Sequence, residues 1–224
     1  MNPPSPDNIF VGRPIFQHST PWHDTGMQEI CFDRAFSVGY DHVGESSIST
    51  ARDYIVHHFL ARTSCEWLVW IDADIAFRRR DWQLLMEQQG DELAVCGEYL
   101  KKRQDLQPEV ANFGLGFARV HRSVYEALDA LNNEDGSPRL LRYRASVRLS
   151  GEDVMEDFTE FHPIGVTYDG SRRNEDHGFW LMVRLAGLPI RKECRTQLGH
   201  SGLFTWWYDS EAIALLRRFE QDAP

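Results

Sequence analysis

The chain reads as an α/β protein built on a mixed, mostly parallel central sheet flanked by helices. Three observations predict it. Trp67-Leu68-Val69-Trp70-Ile71 is an unbroken apolar run, the pattern of a strand buried on both faces. Around it, helix-periodic segments alternate with short apolar runs, which is the rhythm of parallel sheets. The apolar run then ends in two carboxylates, Asp72 and Asp74, where the carboxyl end of a central strand commonly meets a ligand. With 224 residues, 42% of them hydrophobic, the chain is long enough for one domain with a sizeable core.

Residues 1–8 carry Pro3, Pro4 and Pro6 and are expected to form a flexible arm, with a single domain over 9–224. Ile9-Phe10-Val11 is a short strand, expected to stop at the turn signal Gly12-Arg13-Pro14. Residues 21–35 are weakly helical, and 36–40 read as a second strand. Ser46 or Ser47 caps a helix to Arg62, with Ile48, Ala51, Ile55 and Phe59 at helical spacing. Arg52, one turn after Ile48, falls near the core-facing edge of that helix, within reach of a ligand at the end of the sheet. Arg78-Arg79-Arg80 reads as a solvated charge run, with a phosphate contact as the alternative. Asp81 is expected to cap a helix carrying Trp82, Leu85 and Met86 and closed by Gly90. Residues 93–96 form the next buried strand.

Gly114-Leu115-Gly116 begins like a dinucleotide fingerprint but lacks the third glycine, and a helix is expected to follow at once. Close approach of backbone to a ligand or strand is the better use of these glycines. A helix over 123–131 and a loop over 132–138 follow. Residues 139–172 mix basic, acidic and aromatic side chains without a clean period. A lid or acceptor-binding insertion has this look, and so does an irregular connection. Asn174 caps a helix with Phe179, Met182, Val183 and Ala186 on one face, ended by Gly187 and Pro189. Its first turn carries Glu175, Asp176 and His177. A last strand is expected over 190–198, and an amphipathic helix over 210–221.

Burying an ionised carboxylate without a partner costs several kcal/mol or more. The Asp72-x-Asp74 pair therefore suits a divalent cation that bridges a diphosphate; oxygen ligands favour Mg²⁺ or Mn²⁺ with positions left open for phosphate. A solvated turn at the strand end is the plainer alternative. The formal net charge of -10 argues against a nucleic-acid partner held on a broad basic face. Cys31, Cys65, Cys96 and Cys194 show no zinc-ligand spacing, and Cys65 and Cys96 read as buried thiols. The first residues hold no apolar signal core, and no run approaches the roughly 18 apolar residues of a membrane span. The expectation is a soluble cytoplasmic protein with no transmembrane segment.

Taken in order, four stretches resemble the GT-A glycosyltransferases, in particular the small family-2-like enzymes of bacteria and large DNA viruses. Ser49-Thr50-Ala51-Arg52-Asp53 resembles their helix start before the D-x-D strand, with Asp53 where Asn is usual. Trp70-Ile71-Asp72-Ala73-Asp74-Ile75-Ala76-Phe77 resembles the D-x-D core, and Gly97-Glu98-Tyr99-Leu100-Lys101-Lys102 the motif after it. Asn174-Glu175-Asp176-His177-Gly178-Phe179, Gly187 and His200-Ser201-Gly202 resemble the close. The resemblance spans residues 8–204.

It implies a GT-A fold and transfer of a sugar from a nucleoside diphosphate, UDP above others, to an acceptor hydroxyl. The acceptor, whether glycan, lipid-linked or protein, is left open. Asp74 would ligate Mn²⁺ or Mg²⁺, Asp72 would hold the ribose or a metal-bound water, and His200 would complete the metal shell. Arg13, Arg52 and Lys102 become candidates for the phosphates or the uracil pocket. Asp176 matches the general base of inverting members, with Glu175 beside it; acidic residues also simply favour a helix start. Trp206 and Trp207 are candidates for stacking on a sugar, whereas Trp180 suits the core. Two other readings compete. A sugar-nucleotide-forming nucleotidyltransferase also uses acidic pairs, but Gly12-Arg13-Pro14 is no Gly-rich basic loop. A catalytically silent nucleotide-sugar-binding domain would keep the scaffold without turnover.

Overall fold

The computed structural model describes residues 2–43, 45, 47–99, 113–149, 152–166, 172–201 and 205–207. In chain order the elements are β1 (Ile9–Ile15), α1 (Pro21–Phe32), β2 (Val38–Val43), α2 (Ile48–Arg62), β3 (Trp67–Ile71), β4 (Ile75–Ala76), α3 (Arg79–Met86), β5 (Ala94–Gly97) and β6 (Phe117–His121). They continue with α4 (Arg122–Asp129), β7 (Arg142–Leu149), β8 (Glu152–Thr159), β9 (Gly165–Val166), β10 (Arg172–Arg173), α5 (Glu175–Leu185), β11 (Ile190–Glu193), β12 (Gly199–Ser201) and β13 (Thr205–Trp207).

Six strands form the central sheet in the order β11-β5-β6-β3-β1-β2. All run parallel except β6, which pairs antiparallel with both β3 and β5. This is the mixed, mostly parallel α/β architecture expected. All five residues of β3 are buried, and they divide between the two apolar clusters on either side of the sheet: Leu68 and Trp70 in one, Trp67, Val69 and Ile71 in the other. That is why the strand is apolar at every position and does not alternate.

Several local expectations need correction. β1 continues through Gly12-Arg13-Pro14 to Ile15. Its ladder with β3 ends at Gly12↔Trp70, whereas the ladder with β2 runs on to Ile15↔Val43. From Arg13 onward the strand has one neighbour only, and a proline is tolerated at such a position. Asp81 is not the cap of α3. It lies at the third helical position, where its carboxylate accepts from the Arg78 backbone N–H at 2.9 Å, and the helix ends at Met86, short of Gly90. Phe117–His121 is a strand and not the start of a helix. Arg119 is fully buried in it, paired with Glu92 at 3.3 Å and lying over the Trp67 ring.

The unpatterned 139–172 segment contains the antiparallel β7–β8 hairpin, eight residue pairs long. The strand expected over 190–198 stops at Glu193, where a turn at Cys194-Arg195 follows, and a separate strand, β12, begins at Gly199, where the expected strand was to end. Residues read as an N-terminal arm are tied to the domain: Asn8 Nδ2 donates to Glu66 at 2.9 Å, and Trp67 Nε1 donates to the Asn2 carbonyl at 3.1 Å. Cys65 and Cys96 are buried thiols. Among the described residues no helix is long and apolar enough to cross a membrane. The expected 210–221 helix lies outside the described residues.

Candidate functional site

In the order β3-β1-β2, the chain leaves β1 toward one side for β2 and returns to the other side for β3. The crevice outside the carboxyl ends of β1 and β3 is therefore a topological switch point, where open α/β sheets bind ligands. A cleft of about 190 Å³ occupies that place, walled by Pro14 and Ile15 at the end of β1, by Phe16 just beyond it, and by Asp72, Ala73 and Asp74 after β3. Ile48 and Ala51 from the first turn of α2 close another side. The helix starts there because Ser47 is extended and its hydroxyl accepts from the Thr50 N–H at 3.4 Å.

The aspartates sit in a turn fixed from several directions. Asp72 N–H donates to the Gly116 carbonyl at 2.8 Å, which extends the β3–β6 ladder by one step. Ile75 N–H donates to the Asp72 carbonyl at 3.0 Å, and Thr20 N–H to the Ala73 carbonyl at 2.9 Å. Gly116 suits this closeness, since a Cβ there would lie a tight 3.0 Å from both Asp72 Oδ2 and the Tyr99 hydroxyl. The expected close approach of backbone at these glycines is thus met by a neighbouring strand end.

β4 and β12 bring His200 to Asp74. Antiparallel pairing sets His200 opposite Ile75, and Ser201 N–H donates to the Asp74 carbonyl at 2.8 Å. The imidazole Nε2 then lies 3.7 Å from Asp74 Oδ2. Tyr99 packs edge-on against the His200 ring with centroids 5.2 Å apart, and its hydroxyl accepts from Gly116 N–H at 3.2 Å. Burial first, then the Asp176 and Asp72 charges, raise the Tyr99 hydroxyl well above its ordinary pKa. Tyr99 is a supporting residue that the sequence marked only as part of a motif.

The Asp72 side chain turns to Arg52. One terminal nitrogen of the guanidinium donates to both Asp72 oxygens, at 3.1 and 2.9 Å. The other meets Asp176 and lies 3.4 Å from Glu175. Arg52 is only 1% exposed. Burial alone would lower its pKa, but Asp176, Asp72 and Glu175 together raise it. Three carboxylates on one guanidinium leave an excess of negative charge. Asp72 shows the consequence: burial, opposed by Arg52 and reinforced by Asp74 and Asp176, pushes its carboxyl up to about 6.

Glu175 and Asp176 open α5, where Asn174 accepts from the His177 N–H at 3.2 Å. Two contacts hold this turn down. The position a Cβ would take on Gly178 is 1.9 Å from the Pro163 carbonyl oxygen. His162, beside Pro163, stacks on Phe179 with ring centroids 5.2 Å apart. His162 is itself held through Nδ1 by Asp53 at 2.8 Å, and Asp53 also accepts from Phe161 N–H at 3.1 Å. The residue after Arg52 therefore locates the segment that presents Asp176 to Arg52, a role that spacing did not suggest.

Arg13 is turned toward Asp41 and His23. The Arg13 guanidinium donates to His23 Nε2 at 3.2 Å. Burial, then the Arg13 charge, lower the pKa of that imidazole. Trp180 is buried in the core and touches Phe113 and Phe179. Lys102 lies outside the described residues, and for Trp206 and Trp207 only the β13 backbone is described. Among the described residues no three His, Cys, Asp or Glu side chains are grouped to hold a metal ion. Asp74 and His200 come together as a pair.

No protein family matches the sequence, and no curated protein does. Among solved structures, the chain is similar to A197 from STIV over 91% of its own length and 87% of that chain, at 14% identity and a TM-score of 0.51. It shares that protein's overall fold. A glycosyltransferase involved in the glycosylation of the major capsid of PBCV-1 aligns over 53% of this chain and 61% of its own, at 16% identity and a TM-score of 0.36. That likeness is too slight to bear on the fold.

Proposed function

We propose that this chain is a metal-dependent glycosyltransferase of the GT-A type. It moves a sugar from a nucleoside diphosphate, UDP first among the candidates, to an acceptor hydroxyl with inversion. The observation that carries this reading is the cleft at the β1/β3 switch point with Asp72 and Asp74 on its wall.

The donor set fits Mn²⁺ or Mg²⁺. Asp74 and His200 supply an oxygen and a nitrogen 3.7 Å apart, and such ions take one or two protein carboxylates and complete their shells with phosphate and water. The surplus negative charge around Arg52 also favours a divalent cation. When bound, the metal offsets the diphosphate charge that grows as the sugar–phosphate bond breaks. Asp72, held by Arg52, stays beside Asp74 to take a donor hydroxyl or a metal-bound water. Asp176, in the first turn of α5, accepts the proton of the attacking acceptor hydroxyl. Glu175 is the neighbouring alternative. Arg52 spans Asp72 and Asp176, so a single guanidinium sets the spacing between the donor end of the site and the base.

Calorimetry of UDP, GDP and ADP with Mn²⁺ and with EDTA is the test. UDP affinity that needs the metal, and that falls in Asp74→Asn and His200→Ala without unfolding, is the expected result. Binding indifferent to EDTA and to both substitutions overturns the metal assignment. Tight metal-dependent binding without turnover on any acceptor would favour a silent binding domain.

A further inference from the structure

A second cavity, of about 530 Å³, lies between β2, the outer side of α2 and the β7–β8 hairpin. It is larger than the cleft beside Asp72 and falls within the roughly 300–1,000 Å³ of small-molecule sites. Glu45 lines both spaces, so the two adjoin along the approach to α2.

Its walls are aromatic and already ordered. Tyr40 and His58 are stacked at 4.3 Å with 11° between their planes, and His42 lies against Tyr54 at 4.9 Å. Phe158, from the hairpin, meets the Tyr54 ring edge-on at 4.8 Å. Of the two carboxylates in the wall, Glu156 is held by His57 and by Arg62, each at 2.5 Å, and Glu45 stands where the cavity adjoins the cleft, an acceptor for hydroxyls and unfavourable to an anion. Burial lowers the pKa of His42 and His58, which keeps both rings neutral near pH 7, each able to donate and to accept. Burial also keeps the Tyr40 and Tyr54 hydroxyls protonated. A phosphate would find the Arg62 charge already engaged by Glu156. A neutral polyhydroxyl compound would find ring faces for its C–H surfaces and neutral donors and acceptors for its hydroxyls.

We propose that this cavity binds a neutral oligosaccharide segment and anchors the acceptor glycan beside the donor cleft, an assignment that rests on the transferase reading above. The hairpin makes one wall of the site and lies within the 139–172 segment, for which a lid, an acceptor-binding insertion and an irregular connection were all left open.

Saturation-transfer NMR with maltotriose, cellotriose, chitotriose and mannotriose, followed by titration of any that bind, tests it. At least one should bind, and Tyr54→Ala and His42→Ala should each weaken it tenfold or more while leaving UDP·Mn²⁺ affinity unchanged. Asp74→Asn should do the reverse. If the alanine variants fail to fold, Tyr54→Phe keeps the ring and loses only the hydroxyl, and a severalfold weakening is expected. Absence of binding by all four sugars overturns the proposal. So does affinity unmoved by these variants, or displacement of the sugar by UDP, which would make the cavity a base pocket. UDP·Mn²⁺ binding without sugar binding removes this proposal and leaves the transferase reading standing. Sugar binding without UDP·Mn²⁺ binding removes the acceptor role and the transferase reading together.

Discussion

Arg52 and Asp72 meet through one guanidinium nitrogen that serves both carboxylate oxygens, while the nitrogen on the other prong serves Asp176. The contact joins the end of β3 to the start of α5, elements more than 100 residues apart. It also sets one cation, Arg52, against three acidic groups. Removing it strands three part-buried carboxylates beside one another, which costs more than the pairing itself is worth. Arg52→Met should therefore lose about 3–5 kcal/mol in urea unfolding. Arg52→Lys should recover little of it, because an ammonium point charge cannot serve two carboxylates along separate prongs. Full recovery by lysine would show that charge, and not the fork, is what the site uses.

Gly178 offers a second test of how α5 is seated. A methyl group there has no room before the Pro163 carbonyl, and backbone cannot swing aside as a flexible side chain does. Gly178→Ala should cost about 1–3 kcal/mol, the usual range for overpacking. Because the same turn carries Asp176, transfer should fall by more than the fraction unfolded accounts for, with UDP affinity kept. An alanine variant as stable and active as the parent would mean that α5 slides freely along the 161–163 segment.

These relationships mark what was legible in the sequence. β3 is apolar throughout because both its faces are buried, so its bounds followed directly from the pattern. The caps Ser47 and Asn174 announced α2 and α5, and Gly187, at φ +67, ends α5 as a left-handed residue. The hairpin was hidden although Tyr143, Ala145, Val147 and Leu149 alternate with Arg142, Arg144, Ser146 and Arg148. Its second strand, Glu152–Thr159, is mostly exposed and acidic, so no matching alternation supports the first. In β6 the buried Arg119 disguised a core strand, since its partner Glu92 and its platform Trp67 come from other elements. The site was legible as a list of residues but not as an arrangement. Nothing local to Arg52 says that it holds Asp72 and Asp176 together, or that Asp53 locates the turn beneath them.

Glu193 supplies a stability test remote from the cleft. Burial works against its charged form, but Arg195 and Arg191 overcome that and hold its carboxyl down at about 2. A folded-state pKa below the ordinary 4.5 means that this stabilisation is present above about pH 4.5 and is lost as pH falls toward 2. Arg195 is 47% exposed, so screening reduces the contribution to about 1–2 kcal/mol. Glu193→Gln should lose that much at pH 7 and converge with the parent as pH falls to about 2 in urea titrations. A constant difference across the range would place the loss in packing and not in ionisation.

Asp176 carries the mechanistic prediction. If it takes the proton from the acceptor, Asp176→Asn keeps the shape and loses the basicity, so transfer should slow by about 10²–10⁴-fold. On the proposed assignment UDP·Mn²⁺ affinity should change little, since Asp74 and His200 would be the metal ligands and Asp176 pairs with Arg52 instead. Glu175 is the internal control. It is the more distant partner of the same guanidinium nitrogen, at 3.4 Å, and Glu175→Gln should cost much less than Asp176→Asn. The reverse order would move the base to Glu175. Donor affinity that collapses together with activity in Asp176→Asn would instead make Asp176 a structural clamp on Arg52, and the assignment of inversion would lose its support.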